Sequence, residues 1–223
     1  MQRTILRVLT VVFAVSSAVA FAQSGMGSKA AVYITAEEVN TVNKQPGTDR
    51  TIKVVDIGNE HFSVGIIHRG PTGGAARGAG GGAGNAAAGG AGRGAAPVGA
   101  PCGTAASTPP PAGTPTGLSH DSQTEGYYIV SGGGTVVTGG HVVNGRKSAP
   151  DAEVTKILNG PSCSGFMVGS DVVKKVVKTG DIVIIPAGVP HGWEAIGDHV
   201  DYLSFRPSDH ILEAGYVHPS IKK

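Results

Sequence analysis

His191 is the residue whose setting in this chain speaks most clearly for chemistry. It closes the stretch Gly180-Asp181-Ile182-Val183-Ile184-Ile185-Pro186-Ala187-Gly188-Val189-Pro190-His191. Apolar β-branched residues directly after Gly-Asp read as a turn feeding a buried strand. Pro186 ends the strand ladder, and Gly188 permits a sharp reversal that turns His191 back toward the strand it follows. An imidazole held by rigid strands and tight turns is a good candidate for a functional ligand. Other chemistries have less support. Ser162 and Ser164 lie in a Gly-bounded loop, but the chain contains no Gly-x-Ser-x-Gly elbow that would expose a nucleophile. The Gly-rich tract in mid-chain ends in no Lys-Ser/Thr pair, so it does not read as a phosphate-cradling loop. No basic cluster is interleaved with aromatics, and the net charge is only +2, so no nucleic-acid partner is expected.

The spacing Gly-x5-Pro-x-Gly-x2-His resembles the second motif of the cupin family. Upstream, Leu118-Ser119-His120, then Glu125, then Gly132 resembles the first cupin motif, with Leu118 where the family has a histidine. The resemblance runs from about Phe62 to Phe205. It implies that His120, Glu125 and His191 converge on one divalent ion: Mn, Fe, Ni, Cu or Zn. Two imidazoles and one carboxylate suit such ions and leave positions open for water or substrate. Ala195 stands where the second motif carries Asn. His68 is a candidate for the ligand position that Leu118 vacates. Tyr127, on the Glu125 face of its strand, and Trp193, on the His191 face, are candidates for the ligand wall. The family hosts many functions, so two classes stay open. One is a metal-dependent oxygenase, isomerase or lyase acting on a small organic molecule. The other is a metal-free barrel that binds a sugar-like or aromatic ligand without turnover. A homodimer is also what the resemblance implies.

These residues need a scaffold, and the chain supplies strand signals for it. Thr51 to Ile57 and Phe62 to His68 read as strands, as do 126–131, 135–138, 141–143, 172–177, 192–196 and 200–206. Gly-rich turns at 132–134 and 139–140, and Asn144-Gly145, separate the middle ones. Many short strands with Gly turns mean a sandwich or barrel. The resemblance selects an all-β, antiparallel double-stranded β-helix with jelly-roll topology. Thr35 and Glu38 form a capping box for a short helix from about Ala36 to Val42. Ala31 to Tyr33 read as a short strand before it. Pro207-Ser208-Asp209 can start a C-terminal helix through Ala214.

Two segments stand outside the barrel. Residues 1–22 read as a secretory signal, with Arg3 and Arg7, an apolar run from Val8 to Val19, and the small-residue site Ala20-Phe21-Ala22. The mature protein, starting at Gln23, is expected to be exported to the periplasm or beyond, with no membrane association. Residues 70–117 are almost entirely Gly, Ala, Pro, Ser and Thr, and read as a flexible insertion with little apolar surface to offset ordering. Glycine reaches 36 of 223 residues, 16 of them in this tract. The expected organisation is a 23–60 leader with a short helix and first strand, a 61–206 barrel interrupted by the 70–117 insertion, and a 207–223 helix and tail. Cys102 and Cys163 are the only cysteines, and an oxidising compartment makes them candidates for a disulfide.

Overall fold

The computed structural model describes residues 28, 30–72 and 99–222. Helix α1, Ala36–Asn43, begins as the residues dictate. The Thr35 hydroxyl accepts from the Glu38 N–H at 3.2 Å, and the Glu38 carboxylate accepts from the Thr35 N–H at 2.9 Å. Its buried Val42 packs on Ile52 and Ile66. The strands are β1 (Asp49–Asp56), β2 (His61–Arg69), β3 (Pro101–Cys102), β4 (Thr116–His120), β5 (Glu125–Thr138), β6 (His141–Lys147), β7 (Ser162–Val168), β8 (Val173–Lys178), β9 (Ile182–Ile185), β10 (His191–Glu194) and β11 (Val200–Pro207). Paired strands run antiparallel, and the path β1-β2-β11-β5-β10-β4-β7-β6-β3 is open at its ends. This is the mostly-β class that the strand pattern implied, arranged as the double-stranded β-helix that the resemblance selected.

Strand β5 is the pivot. Its first half pairs with β9 and β11, and its second half with β8 and β10. Sequence reading placed a turn at Gly132-Gly133-Gly134; the structure instead carries one 14-residue strand through them. Gly132 has φ +69°, and a Cβ there would meet the His199 carbonyl oxygen at 2.0 Å. The glycines therefore bend the strand from one sheet into the other instead of reversing it. Asn144-Gly145 is likewise inside β6, where Asn144 adopts φ 52° at a register shift.

Other expectations need correction. No helix follows Pro207. Asp209 and His210 have φ of 42° and 63°, incompatible with a right-handed turn. The Ser208 hydroxyl, expected near a helix start, donates to the His61 carbonyl and ties the chain to β2. Residues 31–33 form no strand. A π-helical turn, Val154–Leu158, lies between β6 and β7. Within the tract read as a 70–117 insertion, residues 99–117 carry β3 and the start of β4. Cys102 is bonded to Cys163, with Cα atoms 6.0 Å apart, and Thr104 bridges to Val143, so this part is tied to the barrel despite its composition. Residues 73–98 of the tract, and the signal segment 1–22, lie outside the described residues.

The interior follows strand alternation. On β11, Val200, Tyr202, Ser204 and Arg206 are buried at every second position. Val200 and Tyr202 join Ile67, Tyr127, Ile129, Val136, Val177 and Ile185 in the apolar core. Ser204 and Arg206 continue the same face as a buried polar end.

Candidate metal centre

His120 ends β4, Glu125 opens β5 and His191 opens β10. Register brings them together: His191 pairs with Leu118 on one side and Thr138 on the other. Two glycines allow the close approach. A Cβ on Gly117 would meet the His191 carbonyl oxygen at 2.3 Å, and one on Gly192 would meet that of Thr116 at 2.3 Å. Gly188, with φ +80°, makes the reversal expected before His191.

His120 Nε2 and His191 Nε2 lie 3.2 Å and 3.1 Å from the same atom, Glu125 Oε2. All three residues are buried. The other ring nitrogen of each histidine faces a carbonyl: His120 Nδ1 meets Asn159 O at 2.7 Å and His191 Nδ1 meets Val189 O at 3.0 Å. A carbonyl only accepts, so each Nδ1 carries a proton and donates it. In the neutral ring Nε2 then presents a lone pair. Two such lone pairs and a carboxylate oxygen thus converge on one point, which is what a cation requires. These three side chains, their ligand atoms all within 4.8 Å of one another, could hold a metal ion.

The electrostatics keep the group in this form. Burial lowers the His120 pKa and outweighs the Glu125 charge that would raise it, so the ring stays neutral. Burial would raise the Glu125 pKa. The charge of the Arg206 guanidinium overcomes that and holds the carboxyl well below its usual range. Glu125 Oε1 accepts from Ser204 Oγ at 2.6 Å and Arg206 Nε at 2.7 Å. The same guanidinium donates to Asp49 at 2.6 Å. Tyr127 donates its hydroxyl to Glu125 Oε2 at 3.0 Å. Burial first, then the Glu125 charge, push the Tyr127 phenol well above its ordinary pKa, so it keeps that proton.

Leu118 is buried on the same strand face as His120, in the place where the resemblance expects an imidazole. His68 does not replace it. His68 shares its face of β2 with Ile66, which packs under α1 on the outside of the sheet, while Ile67 faces the core. Its ring is exposed, paired with Asp201 at 2.6 Å and stacked on His199. Trp193 stacks on Tyr202 at 5.2 Å and on Tyr127 at 6.2 Å, so these rings fill the barrel next to the three ligands. Arg206, Ser204 and Asp49 escaped sequence reading. The available signal was β11 itself, where a strict alternation puts an arginine on the face that also carries Val200 and Tyr202.

A family model described as Cupin matches residues 118–213. No curated protein matches the chain. Among solved structures, an oxalate oxidase in complex with the substrate analogue glycolate aligns at 12% identity and TM-score 0.34, covering 75% of this chain and 55% of that one. The chain thus spans about half the length of that oxidase. An uncharacterised protein with a double-stranded β-helix domain from Klebsiella pneumoniae aligns at 14% identity and TM-score 0.36, covering 82% of this chain and 94% of that one. A DMSP lyase from Ruegeria pomeroyi aligns at 10% identity and TM-score 0.33, covering 74% and 48%.

Proposed function

We propose that this chain, a cupin by its residues 118–213, holds one divalent metal ion between His120, Glu125 and His191 and acts there on a small organic molecule. The observation that carries this reading is the set of three converging lone-pair atoms, with both histidine tautomers fixed by backbone carbonyls. Mn, Fe, Ni, Cu and Zn all suit two imidazoles and a carboxylate. A bound ion would supply Lewis acidity or activate a bound species, the chemistry used by metal-dependent oxygenases, isomerases and lyases.

The chain's own residues prepare the site. Arg206 and Ser204 occupy Oε1 of Glu125, leaving Oε2 as the ligand atom and keeping it charged. Tyr127 holds a proton on its hydroxyl beside that oxygen. Tyr127, Tyr202 and Trp193 pack against one another beside the three residues, an apolar aromatic wall for a small ligand to meet. Elemental analysis tests the reading: the purified protein, loaded with each ion in turn and desalted, retains about one ion per chain for at least one of them. Sub-stoichiometric metal for all five overturns it.

One observation favours a second reading. Leu118 gives the centre three protein ligands and an apolar wall where a fourth would stand. Without an ion, the same residues form a buried polar lining in a barrel that binds a sugar-like or aromatic molecule without turnover. Ligand binding unaffected by chelator, in protein that never retains metal, supports that reading.

We also infer export. Arg3, Arg7 and Ala20-Phe21-Ala22 have the order of a cleaved signal. A disulfide between the two cysteines suits an oxidising compartment. Mass spectrometry of the secreted fraction should find a chain beginning at Gln23; retention of residues 1–22 overturns it.

A further inference from the structure

A second interior feature is unused by the metal centre. A cavity of about 180 Å³ lies between the residue preceding β1, the end of β2, the start of β4 and the end of β10. Among the described residues its walls include Thr48, Arg69, Thr72, Thr116, Trp193 and Ile196, and no carboxylate. The Trp193 indole N–H is buried without a hydrogen-bond partner among the described residues. Arg69 spends only Nε, which donates to the Tyr202 hydroxyl at 3.0 Å. Its two terminal nitrogens make no hydrogen bond among the described residues. The carboxylate whose field reaches it, Asp49, is bonded to Arg206. Thr72 Oγ1 accepts from the Ile196 N–H at 2.7 Å, which fixes the loop after β2 over the cavity and leaves the hydroxyl proton available.

A buried donor without a partner costs free energy, and an arginine fork facing a cavity is unusual unless something accepts from it. Guanidinium geometry matches a planar carboxylate through two parallel hydrogen bonds. The indole ring and Ile196 give the remaining wall an apolar character. We propose that this cavity binds a small monocarboxylate, its carboxylate on Arg69 and the Trp193 N–H, and its apolar part against Trp193 and Ile196. The site stands apart from the metal centre. Tyr202, which touches Arg69, and Tyr127, which touches Glu125, pack tilted at 4.3 Å between them. The proposal therefore does not depend on metal being bound.

Trp193 is the only tryptophan in the chain, so its fluorescence reports changes around this one indole, and the comparison before and after chelator separates the cavity from the metal centre. Sodium benzoate is titrated into the full mature protein with calorimetry and fluorescence in parallel, before and after chelator treatment. Benzamide, of the same shape but uncharged, and inorganic phosphate are the controls. Benzoate is expected to bind, perturb Trp193 and bind equally well after chelation. Arg69→Gln is expected to weaken it by about tenfold or more, as loss of a bidentate charged contact should. Equal binding of benzamide overturns the carboxylate assignment without any variant, as does phosphate binding as tightly as benzoate. Benzoate binding abolished by chelator places the carboxylate on the metal and overturns the separate site. Unchanged affinity in folded Arg69→Gln, or no binding by wild type at millimolar benzoate, also overturns it.

Discussion

Two arginines sit on the inner face of this barrel, and they are treated in opposite ways. Arg206 is fully neutralised: its fork meets buried Glu125 and half-buried Asp49. Arg69 meets one neutral phenol and a cavity. The first arrangement fixes a charge that another group must use, because Arg206 keeps Glu125 ionised beneath two histidines. The second leaves a charge to be matched from outside. A buried cation satisfied by the protein is scaffolding, whereas one left facing a cavity is recognition.

The strongest way to break this contrast is Arg206→Leu. It leaves the buried Glu125, and half-buried Asp49, without their cation, and should cost about 3–5 kcal/mol of stability in chemical denaturation. A loss below about 1 kcal/mol would make Arg206 no more structural than Arg69. His191→Ala comes next. It should weaken metal binding by more than about a hundredfold, near 3 kcal/mol, while the metal-free fold loses far less than with Arg206→Leu. Glu125→Gln should weaken the metal less than His191→Ala, since an amide oxygen still faces the imidazoles.

Acid should act on the same end. His120 has a lowered pKa in the fold, so the unfolded chain takes up its proton first as pH falls. Stability is complete above about pH 6.5, the ordinary histidine value, and declines below it. Glu125 adds a second loss below about pH 4.3, where the unfolded carboxyl protonates and the native one still resists. Denaturation midpoints of metal-free protein between pH 8 and pH 4 check both; a flat profile contradicts the neutral, paired arrangement. Arg69→Gln should cost about 1–2 kcal/mol of stability, less than Arg206→Leu, because only one hydrogen bond from a charged donor to a neutral phenol is lost. The smallest effect is expected at Ala195, which adopts φ 51° where the family motif has Asn. Ala195→Gly should raise stability by about 0.5 kcal/mol, the left-handed strain relieved less the entropy of glycine.

What the sequence determined by itself was local. The capping box of Thr35 and Glu38 needs residues three apart, and α1 begins where they stand. Apolar runs between Gly and Pro marked most strands, and the spacing from Gly180 to His191 and from His120 to Gly132 marked the ligand-bearing turns. Those features depend on neighbours along the chain, so they could be read from it. Only the tertiary structure decided what depends on partners far away. Gly132 could be a turn or a bend, and the nearby His199 carbonyl, 67 residues on, makes it a bend between sheets. Residues 99–117 looked unable to order themselves, and a bond to Cys163 orders them from outside. His68 alternates with the right period, but which face of β2 looks inward is settled by α1 covering the other. Arg206 is the clearest case. Its meaning lies in Asp49 and Glu125, 157 and 81 residues away, and no local pattern carries a contact made by the folding of two sheets upon each other.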